Sequence, residues 1–308
     1  MALSRRGLDL AGLVLLSLIW GTTWAAIRVA VRGVPPLTGV ALRFGFAGLL
    51  LLALAKIYGV SLGRAANERP LWLANGLLTF AGSYGIVFWA EQWVPSGLAS
   101  VLFATFPLWT VVLSPLVLPG ERLTWRSGSG VVLGFVGVAL IFWRDLAPAS
   151  DGGLTRLGVA GLVFLIAPLL SATANLLTKR FGAGVHPLSI TSIPMLIGAA
   201  IVAPLAVLVE HPLQARFDTA SLLALAYLAV VGSAIAFTVY YALLRRGSVL
   251  ELSMITYAAP VVAVAIGVLF FDERLGPQSL LGAGLVLAGV LLTVAVRHER
   301  GTGPADGP

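Results

Sequence analysis

A chain of 308 residues with only 11% charged side chains has less than half of the roughly 25% that a soluble domain carries, too little to cover a surface facing water. At 58% hydrophobic residues and a mean hydropathy of +0.97, it has lipid as its solvent. With no cysteine, disulfides, thiolate metal sites and cysteine nucleophiles are excluded; the net charge of +7 comes from basic residues scattered singly at helix ends, not clustered as nucleic acid requires.

Ten apolar runs of spanning length follow one another, roughly at 10–31, 36–56, 71–90, 97–118, 127–143, 157–178, 187–209, 220–243, 250–271 and 277–296. Arg5-Arg6 before the first run resembles the start of a signal peptide, but the run is too long for one and Trp20, Trp24 and Arg28 interrupt any cleavage site. Within it Trp20, Thr23 and Trp24 share one face at i, i+3 and i+4. That face reads either as a cavity wall or as lipid-facing indoles. The second run buries Arg43 about six residues, or roughly 9 Å, from its end, where a charge must face a cavity or a partner. Arg43 is either a counter-ion for a substrate carboxylate or half of a structural ion pair.

Tyr84 and Phe88 form an i, i+4 aromatic pair in the third run, which ends at Glu91 with no basic residue within ten positions. Glu91 is open to four roles: partner of Arg43, contact for a substrate ammonium, proton carrier, or water-facing acid at the headgroup level. Trp89 and Trp93 beside it favour the last. Pro107 in the fourth run and Pro260 in the ninth each remove a backbone hydrogen bond, and read as hinges or as static kinks. The sixth run presents Ser171, Ala174 and Asn175 at positions matching Trp20, Thr23 and Trp24, so that either Trp24 and Asn175 face one cavity or Asn175 bonds a neighbouring helix. Phe237 and Tyr241 in the eighth run mirror Tyr84 and Phe88; the four read either as aromatic walls of a cavity for an amphipathic organic solute or as plain packing, and Tyr257 with Thr256 joins them on weaker grounds. Glu121-Arg122 and Glu273-Arg274 read as turn and cap residues, and Gly130, Gly134, Gly282, Gly284 and Gly289 as close-packing faces within or between protomers.

These matches form one register. Ser100, Pro107, Glu121 and Gly137 recur as Ser253, Pro260, Glu273 and Gly289 at offsets of 153, 153, 152 and 152, which makes the chain two copies of one unit, residues 1–146 and 157–298, with a disordered tail at 299–308. Five spans per copy is odd, so the copies enter the membrane from opposite sides. With the N-terminus inside, thirteen Lys and Arg fall on inner segments and six on outer ones. The positive-inside rule then places both termini in the cytoplasm and the chain in the cytoplasmic membrane. The expected fold is an all-α membrane protein, with ten transmembrane helices as two inverted five-helix repeats around a central cavity.

Trp20-Gly21, Pro36 with Arg43-Phe44, Pro107 with Gly120-Glu121-Arg122-Leu123, and Pro260 with Asp272-Glu273-Arg274-Leu275 resemble EamA-type members of the drug/metabolite transporter superfamily, from about Leu10 to Val296. Ala90-Glu91-Gln92 with Val94 to Ala99 looks like a subset whose substrates are mostly unassigned. The resemblance implies ten helices in inverted repeats around a cavity and export of small metabolites such as amino acids. An intramembrane enzyme would need His, Cys or paired carboxylates within the spans, but His186, His211 and His298 all lie at helix ends. A passive channel would show rings of like residues. The expectation is therefore a secondary transporter without catalytic residues, metal or cofactor. Its partners would be a small-molecule substrate and the bilayer, not nucleic acid, in a monomer or homodimer.

Overall fold

The computed structural model describes residues 5–63, 66–143, 155–211, 217–244 and 249–301, apart from the side chains at 5–9, 142, 241–242, 244, 249–254, 256–257 and 294–301. Every regular element among the described residues is helical. The first half runs α1 (Arg5–Gly33), α2 (Pro36–Ile57), α3 (Glu68–Asn75), a first π segment (Gly76–Ser83), α4 (Tyr84–Ala90), α5 (Ser96–Phe103), α6 (Phe106–Val117) and α7 (Trp125–Phe142). The second runs α8 (Arg156–Phe164), α9 (Ile166–Phe181), α10 (Pro187–Glu210), α11 (Thr219–Ala229), a second π segment (Val230–Ile235), α12 (Ala236–Leu244), α13 (Val249–Phe271) and α14 (Pro277–Gly301).

Among the described residues, seven helical stretches are long and apolar enough to cross a membrane: Leu10–Gly33, Pro36–Ile57, Glu68–Ala90, Ser96–Val117, Arg156–Phe181, Pro187–Glu210 and Thr219–Tyr240. Trp125–Ile141, Ala258–Phe271 and Pro277–Thr293 are shorter apolar helices. Most boundaries lie close to those read from hydropathy. The third run starts at Glu68 rather than near 71, because its first turn is polar yet already helical. The loop at 144–154 and residues 302–308 lie outside the described residues, while the first three residues of the tail expected at 299–308 continue α14 as helix.

Prolines explain where spans break. Pro107 has no N–H, and its ring crowds the carbonyl four residues back, at Phe103; α5 ends there and α6 begins at Phe106. Pro168 does the same to Phe164, where α8 ends. Pro260, in contrast, lies inside a continuous α13, so the two prolines expected to act alike differ in this conformation. The π segments behave symmetrically: at an offset of 153 the first maps onto residues 229–236, overlapping the second. Such wide turns are rare and concentrate at functional sites.

Packing explains the glycines. A Cβ on Gly130 would stand 2.7 Å from the carbonyl oxygen of Gly289, and one on Gly137 2.5 Å from that of Gly282. Reciprocally, a Cβ on Gly289 or Gly282 would meet the carbonyl of Gly130 at 2.5 Å or of Gly137 at 2.6 Å. Gly130 and Gly282 are repeat mates, as are Gly137 and Gly289, so α7 and α14 lie antiparallel across a local two-fold relation. The small-residue faces are therefore used within the molecule, except at Gly284, which faces open space. Gly137→Ala is expected to cost about 1–3 kcal/mol, since the backbone of Gly282 and Val286 and the Cβ of Leu285, none of them the end of a flexible side chain, stand in its way. Gly284→Ala should leave thermal unfolding in detergent unchanged, and equal effects of the two would contradict this packing.

Candidate functional site

Arg43 is the centre of the buried polar region. It is 2% exposed, and its Nε donates to Ser233 Oγ at 3.1 Å from the second π segment. The guanidinium carbon lies 4.9 Å from the ring centres of both Phe44 and Tyr84 and 5.9 Å from that of Phe88. Rings offer their negative faces to a cation, each contact contributing about 0.5–2 kcal/mol where water is excluded. This cage takes over part of the work of hydration. It does not satisfy every donor: Nη1 is buried and has no hydrogen-bond partner in the protein.

Gly232 lets the second π segment approach. A Cβ there would be 2.8 Å from Thr23 Cγ2 and 3.7 Å from Arg43 Nη2, so Thr23, buried on α1, stands beside the arginine. Trp20 packs on Phe237 at 5.8 Å and on Tyr240 at 5.5 Å, and Phe237 continues to Phe80 at 6.3 Å, which stacks on Tyr84. Trp24 meets Phe103 at 5.4 Å and Phe164 at 6.3 Å, at the ends of α5 and α8 beside their proline breaks. Trp20, Thr23, Trp24, Arg43, Tyr84, Phe88 and Phe237 thus converge on one region.

Asn175 is not brought to it in this conformation. Ser171 is buried and donates to Ser83 Oγ at 2.8 Å, while Asn175, about 40° further round the helix, is exposed. The side chains of Tyr241, Tyr257 and Thr256 lie outside the described residues. Ser233, Phe44, Phe80, Phe103, Phe164 and Tyr240 were missed in the sequence. A search for the mate of every aromatic would have reached Ser233, which replaces Phe80 at offset 153.

Glu91 lies at the end of α4. It is fully buried, not in water at the headgroup level, and both carboxylate oxygens lack a hydrogen-bond partner in the protein. It forms no ion pair with Arg43. Arg28 on α1 reaches it but donates to its peptide carbonyl, Nη1 to O at 2.6 Å. Trp89 and Trp93 pack edge to face at 5.0 Å, half-buried beside it.

Two other acids hold that same end of the bundle together across the halves. Glu273 accepts from Ser96 N at 2.7 Å, Ser96 Oγ at 2.8 Å and Gly97 N at 3.0 Å, capping α5. Glu210 accepts from Leu37 N at 2.7 Å and from Thr38 N and Oγ1 at 2.9 Å, capping α2. The first N–H groups of a helix have no partner of their own, so a carboxylate there is well placed. Left-handed Asp272 (φ 53°) turns the chain so that Glu273 points back, and Gly267 leaves room for it: a Cβ there would be 2.3 Å from Oε2. Its repeat mate Gly120 is also left-handed (φ 81°). Glu121 after it lies 3.8 Å from Lys179. Glu273 is therefore a cap, though of a helix 176 residues away. At the opposite end Ser189 at the start of α10 bonds Glu68 and accepts from Trp72 Nε1 at 2.9 Å.

Among the described residues no three His, Cys, Asp or Glu side chains gather to hold a metal. The groups present can bind a small anion or zwitterion within aromatic walls.

The sequence pattern of the EamA-like transporter family matches residues 9–143 and again residues 159–295. The chain is 32% identical over 287 residues to an uncharacterized inner membrane transporter of Escherichia coli, YedA, covering 92% of this chain and 89% of that one. It is 30% identical over 306 residues to a probable terminal-alkyne amino-acid exporter of Streptantibioticus cattleyicolor, covering 94% and 96%. A crystal structure with 24% identity superposes with a TM-score of 0.66 over 96% of this chain and 99% of that one, a likeness of fold.

Proposed function

The chain belongs to the EamA-like transporter family and is an integral membrane protein; from that premise we propose that it exports small organic metabolites, amino acids or similar amphipathic solutes, by alternating access. In this reading ten spans form two inverted five-helix repeats, residues 1–146 and 157–298, with both termini cytoplasmic. The local two-fold contact of α7 with α14 supports the inversion, and the relative named as a probable terminal-alkyne amino-acid exporter supports the solute class.

The observation that carries the proposal is the caged arginine. Arg43 is buried within aromatic walls, yet keeps Nη1 free of any protein acceptor. A buried charge with unspent donors suits a passing carboxylate better than a permanent structural bond. In the proposed orientation Glu210, Glu273 and the Arg28 contact all lie at the outer end, so this conformation is closed to the outside. The breaks near Pro107 and Pro168 beside Trp24 are where α5 and α8 can swing relative to α6 and α9.

Flux tests the function. Proteoliposomes loaded with labelled amino acids, nucleosides and amphipathic cations should release a carboxylate-bearing member faster than empty vesicles, and no release of any member would overturn the reading. Repeat mates test the inversion. Arg122 and Arg274 are both exposed, and on this cysteine-free chain Arg122→Cys should react with an impermeant maleimide from the inner face and Arg274→Cys from the outer. Labelling of both from one side would refute inverted repeats.

A further inference from the structure

Beside Arg43 the protein buries a second charged side chain, Glu91, whose carboxylate has no hydrogen-bond partner in the protein. An ionised carboxylate with no hydrogen bond is costly inside a protein, by several kcal/mol, and persists only when paired or neutralised. Neither cation near Glu91 bonds its carboxylate. Arg28, from α1, spends Nη1 on the Glu91 peptide oxygen. Arg43, from α2, is held by Ser233 and three rings, and its unpartnered Nη1 makes no bond to the Glu91 carboxylate. Glu273, which precedes α14, is negative itself and is taken up by Ser96 and Gly97. The helices α8 and α9, also packed on α4, carry charge only at Arg156, Lys179 and Arg180, all exposed.

Resting on the export reading, we propose that Glu91 is the proton carrier that couples solute export to a transmembrane proton gradient. In the conformation seen here it is the neutral acid. When the Glu273 and Glu210 clamps open, the carboxylate meets outside water and takes up a proton there. The closed form carries that proton inward and releases it to the inner side. The resulting anion is then available to Arg28, Arg43 or a cationic group of the solute, so that proton and solute travel in opposite directions, one for one. The repeat provides no second such group, since offset 153 places Leu244 opposite Glu91.

Two readouts on the full-length protein test this, one of them independent of any solute. Infrared difference spectra of the protein in liposomes, recorded between acid and alkaline pH, should show a protonated carboxyl band that is missing in Glu91→Gln and shifted in Glu91→Asp. In proteoliposomes given the amino-acid panel, a gradient of one pH unit should drive accumulation up to about tenfold in the wild type, because one unit corresponds to about 1.36 kcal/mol. Glu91→Gln should reach only equilibrium while still exchanging labelled for unlabelled solute. An unchanged infrared band, or gradient-driven accumulation retained in Glu91→Gln, overturns the proposal. If the band behaves as expected but wild-type vesicles move no member of the panel, the export reading fails instead.

Discussion

Arg43→Lys is expected to slow transport of carboxylate-bearing solutes about ten- to a hundredfold while the protein inserts and unfolds as the wild type does. A hydrogen bond to a charged group contributes about 1.5–3 kcal/mol, and each 1.4 kcal/mol is tenfold. Lysine keeps the charge but loses the planar fork, and with it the split between Nε on Ser233 and Nη1 on the solute. It also loses the flat face that lies among Phe44, Tyr84 and Phe88. Flux of a neutral or cationic member of the panel should fall less. Ser233→Ala should give a smaller loss, because the rings still hold the guanidinium. Should protein level and flux drop together in Arg43→Lys, the arginine would be a structural tie and the export site would lie elsewhere.

The parts legible in the sequence are those the bilayer dictates locally. A spanning helix must satisfy its backbone internally, so its length shows as an apolar run, and a lone charge such as Arg43 stands out against that background. The repeat was legible for the same reason, since Pro107 with Pro260 and Gly137 with Gly289 are residues whose backbone chemistry tolerates few substitutes. What stayed hidden depends on distant partners. Trp89 and Trp93 have the composition of an interface, and nothing near Glu91 in sequence says that helices from both halves cover it. Glu273 reads as a cap from its turn, but the helix it caps is in the other half. Asn175 fell on the expected stripe by spacing alone, and in the structure it is exposed while Ser171 on that stripe is buried. Pro260 shows that a proline marks a permitted break rather than a realised one, since its helix runs through it here.

The second large effect is expected at the clamp between the halves. Glu273→Ala removes three hydrogen bonds and the charge at the start of α5, leaving Ser96 and Gly97 with buried, unpaired N–H groups. Loss of a helix cap alone costs about 0.5–2 kcal/mol, and the charge-assisted bonds add to it. If the clamp holds the bundle shut at that end, this energy is lost only from the closed form, and the open population should rise about tenfold or more. Ser100 reports it: one turn into α5 and 2% exposed, it should react slowly with a maleimide as Ser100→Cys. Adding Glu273→Ala should raise that rate about tenfold or more. Glu210→Ala should act in the same direction through α2, where Thr38 loses both its bonds. The sign of the flux change separates a gate from a scaffold. A gate weakened on one side changes the balance of inward- and outward-open forms, so exchange continues with a shifted half-saturation. A scaffold that loses a tie simply unfolds at lower temperature with Ser100→Cys labelled no faster below that point, and this outcome would remove Glu273 from the transport cycle.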